Sequence, residues 1–161
     1  MSMKVLESLK GAGATYEVID CEPSFADTAE FCNHYGYSLD ESANAILLEG
    51  KAEAPIYALC VVLATTRINV NKVARKRLGT RKASFASAEI TKELTGMEIG
   101  GVTPVGLPVD LPIWIDSLVM ETPKVIIGAG SRSAKIYLSP DNLLRFPNTH
   151  IVDGLSMPIV N

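Results

Sequence analysis

The sequence has no apolar run near the roughly 20 residues that a membrane-spanning helix needs. Its start, MSMKVLESLKGAG, reads as an amphipathic helix rather than a basic and then apolar export signal, so a cytoplasmic protein with no membrane partner is expected. Cysteine and histidine are sparse. Cys21, Cys32 and Cys60 form no C-x-x-C pair, and His34 and His150 are far apart, which argues against a metal site and leaves reduced, mostly buried thiols. Positive charge is not in excess: 15 Lys and Arg stand against 18 Asp and Glu, a net charge of −3. A general nucleic-acid binder is thereby excluded, and any RNA contact must be local. A G-x-S-x-G elbow is also missing, so a serine hydrolase has no support.

What the sequence does have is apolar mass, 47% of 161 residues with a mean hydropathy of +0.20. That suffices for one domain, residues 1–161, around a continuous core. Met3 to Lys10 predicts a helix stopped by Gly11 and Gly13, and Thr15 to Asp20 a strand. Asp27 with Glu30 suits the start of a helix ending near Gly36, with Cys32 and Tyr35 turned inward. Ala43 to Leu48 and Ile56 to Leu63 predict a hairpin with a longish loop. Asn69 caps a basic helix ended by Gly79, and Ser87 caps another running to Thr95.

Beyond it, TGMEIGGVTPVGLPVDLP fits neither period and reads as a loop. Ile113 to Asp116, Lys124 to Ile127 and Lys135 to Leu138 predict short strands, and Ser139-Pro140-Asp141 the cap and first turn of a closing helix. The economical architecture is a mixed α/β (α+β) domain, a strongly curved sheet with helices packed around it.

Two glycine-rich segments could carry chemistry. The first runs Thr95-Gly96-Met97-Glu98-Ile99-Gly100-Gly101-Val102-Thr103-Pro104-Val105-Gly106. Paired glycines let successive N–H groups converge on one oxygen, although the same glycines also suit a surface loop that only solves turn geometry. The second, Gly128-Ala129-Gly130-Ser131-Arg132-Ser133, follows a strand but precedes another strand, which rules out a dinucleotide-binding turn. It remains either a turn offering N–H groups and Arg132 to an oxygen, or a plain hairpin turn. Lys72, Arg75, Lys76 and Arg77 form either a solvated helix face or a grip on nucleic-acid phosphates. His34 and His150 read as satisfied or exposed, and Asp116 as a structural carboxylate.

The order VVLATTRINVNKVARKRLG, SFASAEITKELTGMEIGGVTPVGLP, LPIWIDSLV and KVIIGAGSRSAKIYLSPDNLLRF resembles the YbaK/ProX family, also found as the editing insertion of bacterial prolyl-tRNA synthetases. The resemblance covers nearly the whole chain. It implies a compact α/β domain around a barrel-like sheet that hydrolyses the ester joining a wrong, small amino acid to tRNA, with no cofactor. The aminoacyl-tRNA acceptor end is then the partner, and a synthetase is a second candidate.

In that family a positioned water and a ribose hydroxyl, not a protein nucleophile, carry the reaction. Gly100 and Gly101 would polarise the substrate carbonyl, Thr95, Gly96 and Pro104 would bind substrate from that loop, and Gly128, Gly130 and Arg132 would form the opposite wall around the terminal adenosine and amino acid. Lys72, Arg75, Lys76 and Arg77 would touch tRNA. One position departs from the pattern: where the family carries a lysine in a K-T-apolar motif, this chain reads Ala43-Asn44-Ala45-Ile46. Asn44 replaces a charged triple donor with a neutral donor–acceptor pair. The resemblance thus leaves a retuned enzyme, a slower one, or a tRNA- or nucleotide-binding module.

Overall fold

The apolar run Ile56–Leu63 is buried on both sides over residues 58–62. Leu59 and Val61 enter one core cluster while Ala58, Cys60 and Val62 enter another. Such a strand reads as a continuous run, IYALCVVL, rather than as an alternation of apolar and polar residues.

The computed structural model describes residues 1–159. The chain begins with α1 (Met3–Gly11), β1 (Glu17–Asp20) and α2 (Thr28–Tyr35). Then come β2 (Ala43–Gly50), β3 (Ile56–Leu63), β4 (Thr66–Ile68), α3 (Arg75–Leu78), β5 (Ala83–Phe85) and α4 (Ala88–Thr95). After a long loop follow β6 (Ile113–Asp116), α5 (Ser117–Met120), β7 (Val125–Gly128), β8 (Ala134–Leu138), β9 (Thr149–Val152) and β10 (Ser156–Pro158).

A five-stranded mixed sheet has the order β5-β2-β3-β6-β9; β2 is antiparallel to β3 and β5, and β6 is parallel to β3 and β9. An antiparallel sheet β1-β8-β7 faces it, tied to the start of β2 by a bridge between Ser42 and Ile126. The pair β4-β10 forms a third, small sheet. The largest core cluster lies between the two main sheets: Leu47, Leu59, Ile113 and Ile115 meet Val125, Ile127, Ile136 and Leu138, with Val5 and Leu9 of α1 closing it. Each such side chain contributes about 1.5–3 kcal/mol by leaving water, so the seam between sheets carries the fold. Behind the large sheet, Leu48, Cys60 and Trp114 pack on Leu78 of α3. Phe31 and Cys32 of α2 cover Ile126 on the outer face of the small sheet.

This is the mixed α/β fold expected, with local differences. The closing helix is a 3-10 turn, Pro140–Arg145, and the Ser139 side chain does not cap it. Asn142 stabilises that turn instead, donating to Ser139 O and accepting from the Thr15 N–H. The basic helix opens with a wide turn over Val70–Ala74, capped by Asn69 Oδ1 on the Lys72 N–H, and only then becomes α3. Asp27 does not cap α2 with its carboxylate, because that group is held elsewhere.

Candidate active site

The outer edge of β2 is paired at both ends and open between them. At Ser42, just before β2, the chain bridges Ile126 of β7; at its far end β5 pairs with Leu48, Glu49 and Gly50, and the Leu47 carbonyl accepts the Ala86 N–H at 2.8 Å. Backbone alternation along a strand turns the N–H and C=O of Ala45 to the same side as the Leu47 carbonyl, where no strand lies among the described residues. A cleft of about 320 Å³ opens there. Its wall is β2 from residue 43 to 47, its ends are Asp27, Thr28, Phe85, Ala86 and Thr91, and its far side is Ile99, Gly100, Val102, Gly128 and Lys135. The cleft is therefore formed between the large sheet, the β7–β8 hairpin and the glycine loop after α4.

Asn44, Gly100 and Gly128 all reach this cleft. Asn44 Oδ1 accepts a 2.6 Å hydrogen bond from Thr28 Oγ1, which fixes the amide and leaves Nδ2 as its donor. Gly100 has φ +91° and sits where a Cβ would strike the Arg132 guanidinium. Among the described residues its N–H has no acceptor. At Gly128 a Cβ would meet the carbonyl oxygens of Gly101 and Val102, so the two glycine segments touch backbone to backbone.

The other residues of the two loops hold the wall from behind. Gly101 gives its N–H to Glu98 O at 2.8 Å in a tight turn, and its carbonyl accepts the Gly130 N–H at 2.6 Å. Gly130 has φ +85° and packs against Ser2 and Val5 of α1, away from the cleft. Thr95 is buried, donating to Thr91 O and accepting from the Met97 N–H, while Gly96 ends α4 with φ 72°. Pro104 borders a separate hollow beside Ser8 of α1 and Ala12, which follows the helix. Arg132 is a clasp: Nε donates to Pro23 O, and Nη1 to Asp27 Oδ1 at 3.1 Å and to Ile99 O at 2.7 Å. Because N–H and C=O of a trans peptide point in opposite directions, holding the Ile99 carbonyl also sets the direction of the Gly100 N–H.

The basic segment lies behind the large sheet. Arg75 donates to the carbonyls of Asn71 and Thr80, Arg77 lies 5.2 Å from the Trp114 ring centre, and Lys72 and Lys76 are exposed. His34 stacks on Phe25 at 3.9 Å between centres, and Asp116, buried, accepts from Ser156 Oγ. Among the described residues no group of His, Cys, Asp and Glu could hold a metal ion, and no helix is long and apolar enough to cross a membrane.

Sequence reasoning passed over Lys135. In β8, Ala134, Ile136 and Leu138 enter the main core, so Lys135 points to the opposite face, along Phe31, with Nζ 5.7 Å from that ring's centre. The residue is 6% exposed, and Nζ donates to Gly100 O at 2.8 Å. Burial pulls its pKa below the ordinary lysine value, and the Arg132 charge adds to that; Cys21, Asp27 and Cys32 oppose it. The signal was one charged residue inside an otherwise apolar strand, but at a strand's end it reads as a solvated lysine.

Two apposed sheets with a cleft between them, walled in part by Gly100 and Gly128, define a small mixed α/β domain. The family model for the aminoacyl-tRNA editing domain matches residues 22–146. The chain belongs to that family. It is 32% identical over 130 residues to the uncharacterized protein YwhH of Bacillus subtilis, covering 81% of this chain and 80% of YwhH. It is 25% identical over 99 residues, 62% of this chain and 58% of the relative, to EbsC of Enterococcus faecalis, a proposed Cys-tRNA(Pro)/Cys-tRNA(Cys) deacylase. A hypothetical protein of known crystal structure superposes with TM-score 0.84 at 26% identity, covering 96% of this chain and 99% of that one. The crystal structure of a proposed trans-editing enzyme for prolyl-tRNA synthetase shares the fold, with TM-score 0.79 at 24% identity over 95% of this chain and 97% of that one.

Proposed function

We propose that this chain, folded as one domain, is a cytoplasmic trans-editing deacylase that hydrolyses the ester of a tRNA mischarged with a small amino acid. The observation that carries the reading is the convergence of Asn44, Gly100 and Gly128 on one cleft at the open edge of β2. Water would attack the ester carbonyl carbon, the bond from that carbon to the ribose oxygen would break, and the water's proton would pass to that oxygen. The Gly100 N–H, without an internal acceptor among the described residues, is a backbone donor available to the developing oxyanion, as is the Ala45 N–H on the open edge of β2. Ala43, Ala45, Leu47 and Val102 offer an apolar wall that suits a small side chain.

Phe85, 56% exposed, stands at the cleft and suits the terminal adenosine, since a base stacks on an exposed ring, and Ile99, 52% exposed, adds apolar surface to the same cleft. A second editing site of this kind answers a physical limit, because one methylene separates amino acids by only about 1–3 kcal/mol in a synthetic site. A panel of tRNAs mischarged with alanine, serine, cysteine and proline tests the proposal: turnover of at least one above its spontaneous rate is expected. A flat panel with tRNA binding retained would favour the non-catalytic module that the missing lysine at position 44 suggests. In an active enzyme, Asn44→Ala lowers the rate.

A further inference from the structure

Lys135 is a buried ammonium with three donors and one acceptor among the described residues, the Gly100 carbonyl. No carboxylate among them forms an ion pair with it: Asp27, on the same cleft, is bound to Arg132. Burying a charge with donors unmet disfavours the folded state, and a methionine of similar length would fit the same slot beside Phe31 without that penalty. The group borders the cleft together with the unpaired Gly100 N–H. A cation held there, with two hydrogens beyond the one given to the Gly100 carbonyl, is placed to donate to an oxygen of a molecule in the cleft.

We propose that Lys135 contacts the substrate, donating from β8 the hydrogen bond to the aminoacyl ester oxygen that a lysine at position 44 would donate from β2. The proposal rests on the deacylase reading and deepens it. Position 44 and Lys135 border the same cleft, and Thr28 joins them: its hydroxyl binds Asn44, and it lines a smaller hollow with Lys135. The charge missing at position 44 has thus entered from the facing sheet. Asn44 keeps the shape of the β2 wall without placing a second cation beside the first.

The test compares wild type, Lys135→Met, Asn44→Lys and the double variant Asn44→Lys/Lys135→Met on three readouts. These are turnover of the mischarged tRNA that wild type cleaves best, affinity for the non-hydrolysable amide 3′-alanylamino-3′-deoxyadenosine, and thermal melting. Lys135→Met is expected to lower kcat/KM about 100-fold, the scale of one lost oxyanion donor, with a melting temperature equal to or above wild type. The double variant is expected to recover at least about tenfold of that loss. Lys135→Met activity within about threefold of wild type overturns the proposal. So does a loss accompanied by a lowered melting temperature and no recovery in the double variant, which would make Lys135 only a prop for the Gly100 carbonyl. Should wild type bind the amide without cleaving any ester, the deacylase reading falls, and the Lys135 contact is judged on whether Lys135→Met weakens amide binding about tenfold or more. Wild type that neither cleaves nor binds overturns both.

Discussion

Gly101 lies so close to Ser131 that a Cβ on it would stand 2.6 Å from the Ser131 carbonyl oxygen and 2.8 Å from its nitrogen. Nothing flexible is there to yield, because the contact is backbone. Gly101→Val should therefore separate the two glycine segments and cost about 3 kcal/mol of stability along with activity, the upper range for overpacking a tight site. Urea denaturation checks it, with Gly11→Ala as control, since a Cβ at Gly11 meets nothing within 4 Å. A stable but inactive Gly101→Val would instead place the residue's free face on the substrate.

Arg132 binds three acceptors on two segments, yet its side chain is 27% exposed and that of its partner Asp27 is 60% exposed. An ion pair so wetted contributes little, about 0–1 kcal/mol. Its value lies in direction, since it holds the Ile99 carbonyl and with it the Gly100 N–H. Arg132→Ala is expected to melt within a few degrees of wild type while kcat falls at least about tenfold. Arg132→Lys should not rescue it, because one ammonium cannot reproduce the fork of donors. Steady-state kinetics beside melting curves decide this; a proportional loss of both would make Arg132 a fold residue.

The elements with strong periodic or capping signals were legible in the sequence: the Ala43–Gly50 and Ile56–Leu63 hairpin, the Ser87-capped helix, and the loop that follows Gly96. The strands Thr66–Ile68, Ala83–Phe85, Thr149–Val152 and Ser156–Pro158 were not, since three or four residues carry too little alternation and pair only through distant partners. The site divided in the same way. Glycine spacing marked both loops, but whether a particular N–H faces the cleft or closes a turn depends on tertiary placement, which is why Gly101 and Gly130 read like Gly100 and Gly128. Lys135 was invisible for a similar reason: its burial arises only when α2 covers the outer face of β8.

Cys60 is fully buried in the cluster behind the large sheet, and burial raises its thiol pKa from 9.0 to about 12, partly opposed by Arg77. The folded protein thus keeps a proton that the unfolded chain releases above about pH 9. The contribution is whole below that pH and is lost as pH rises toward the folded value; by pH 10 the loss is about 1.4 kcal/mol. Lys135, with its pKa lowered, acts in the opposite sense over the alkaline range. Comparing denaturation midpoints of wild type and Cys60→Ala from about pH 8 to about pH 10 cancels that shared term. The wild-type midpoint should fall more steeply; parallel curves would show that the thiol does not titrate through unfolding.

The basic segment allows a prediction that the sequence alone would have spread over four residues. Arg75 is tied to two carbonyls and Arg77 lies over Trp114, so neither is free to follow a phosphate without losing an internal contact. Lys72 and Lys76 are exposed and form no ion pair among the described residues. Next to them a groove lined by Asn71, Arg75, Arg81, Lys82 and Ala83 follows β5, whose other end, Phe85, borders the cleft. A tRNA acceptor stem whose terminal adenosine enters at Phe85 would pass along that groove, and its affinity should fall steeply with salt. Each phosphate contact removed lowers the slope of log affinity against log salt by about 0.7–0.9, so Lys72→Ala/Lys76→Ala should flatten it by about 1–2. Because these lysines stand away from the reacting carbonyl, KM should rise while kcat at saturating tRNA stays near wild type. Binding isotherms across a salt series, together with kcat and KM, test both halves. An unchanged slope would make the segment a solvated face and send the acceptor stem along another side of the domain.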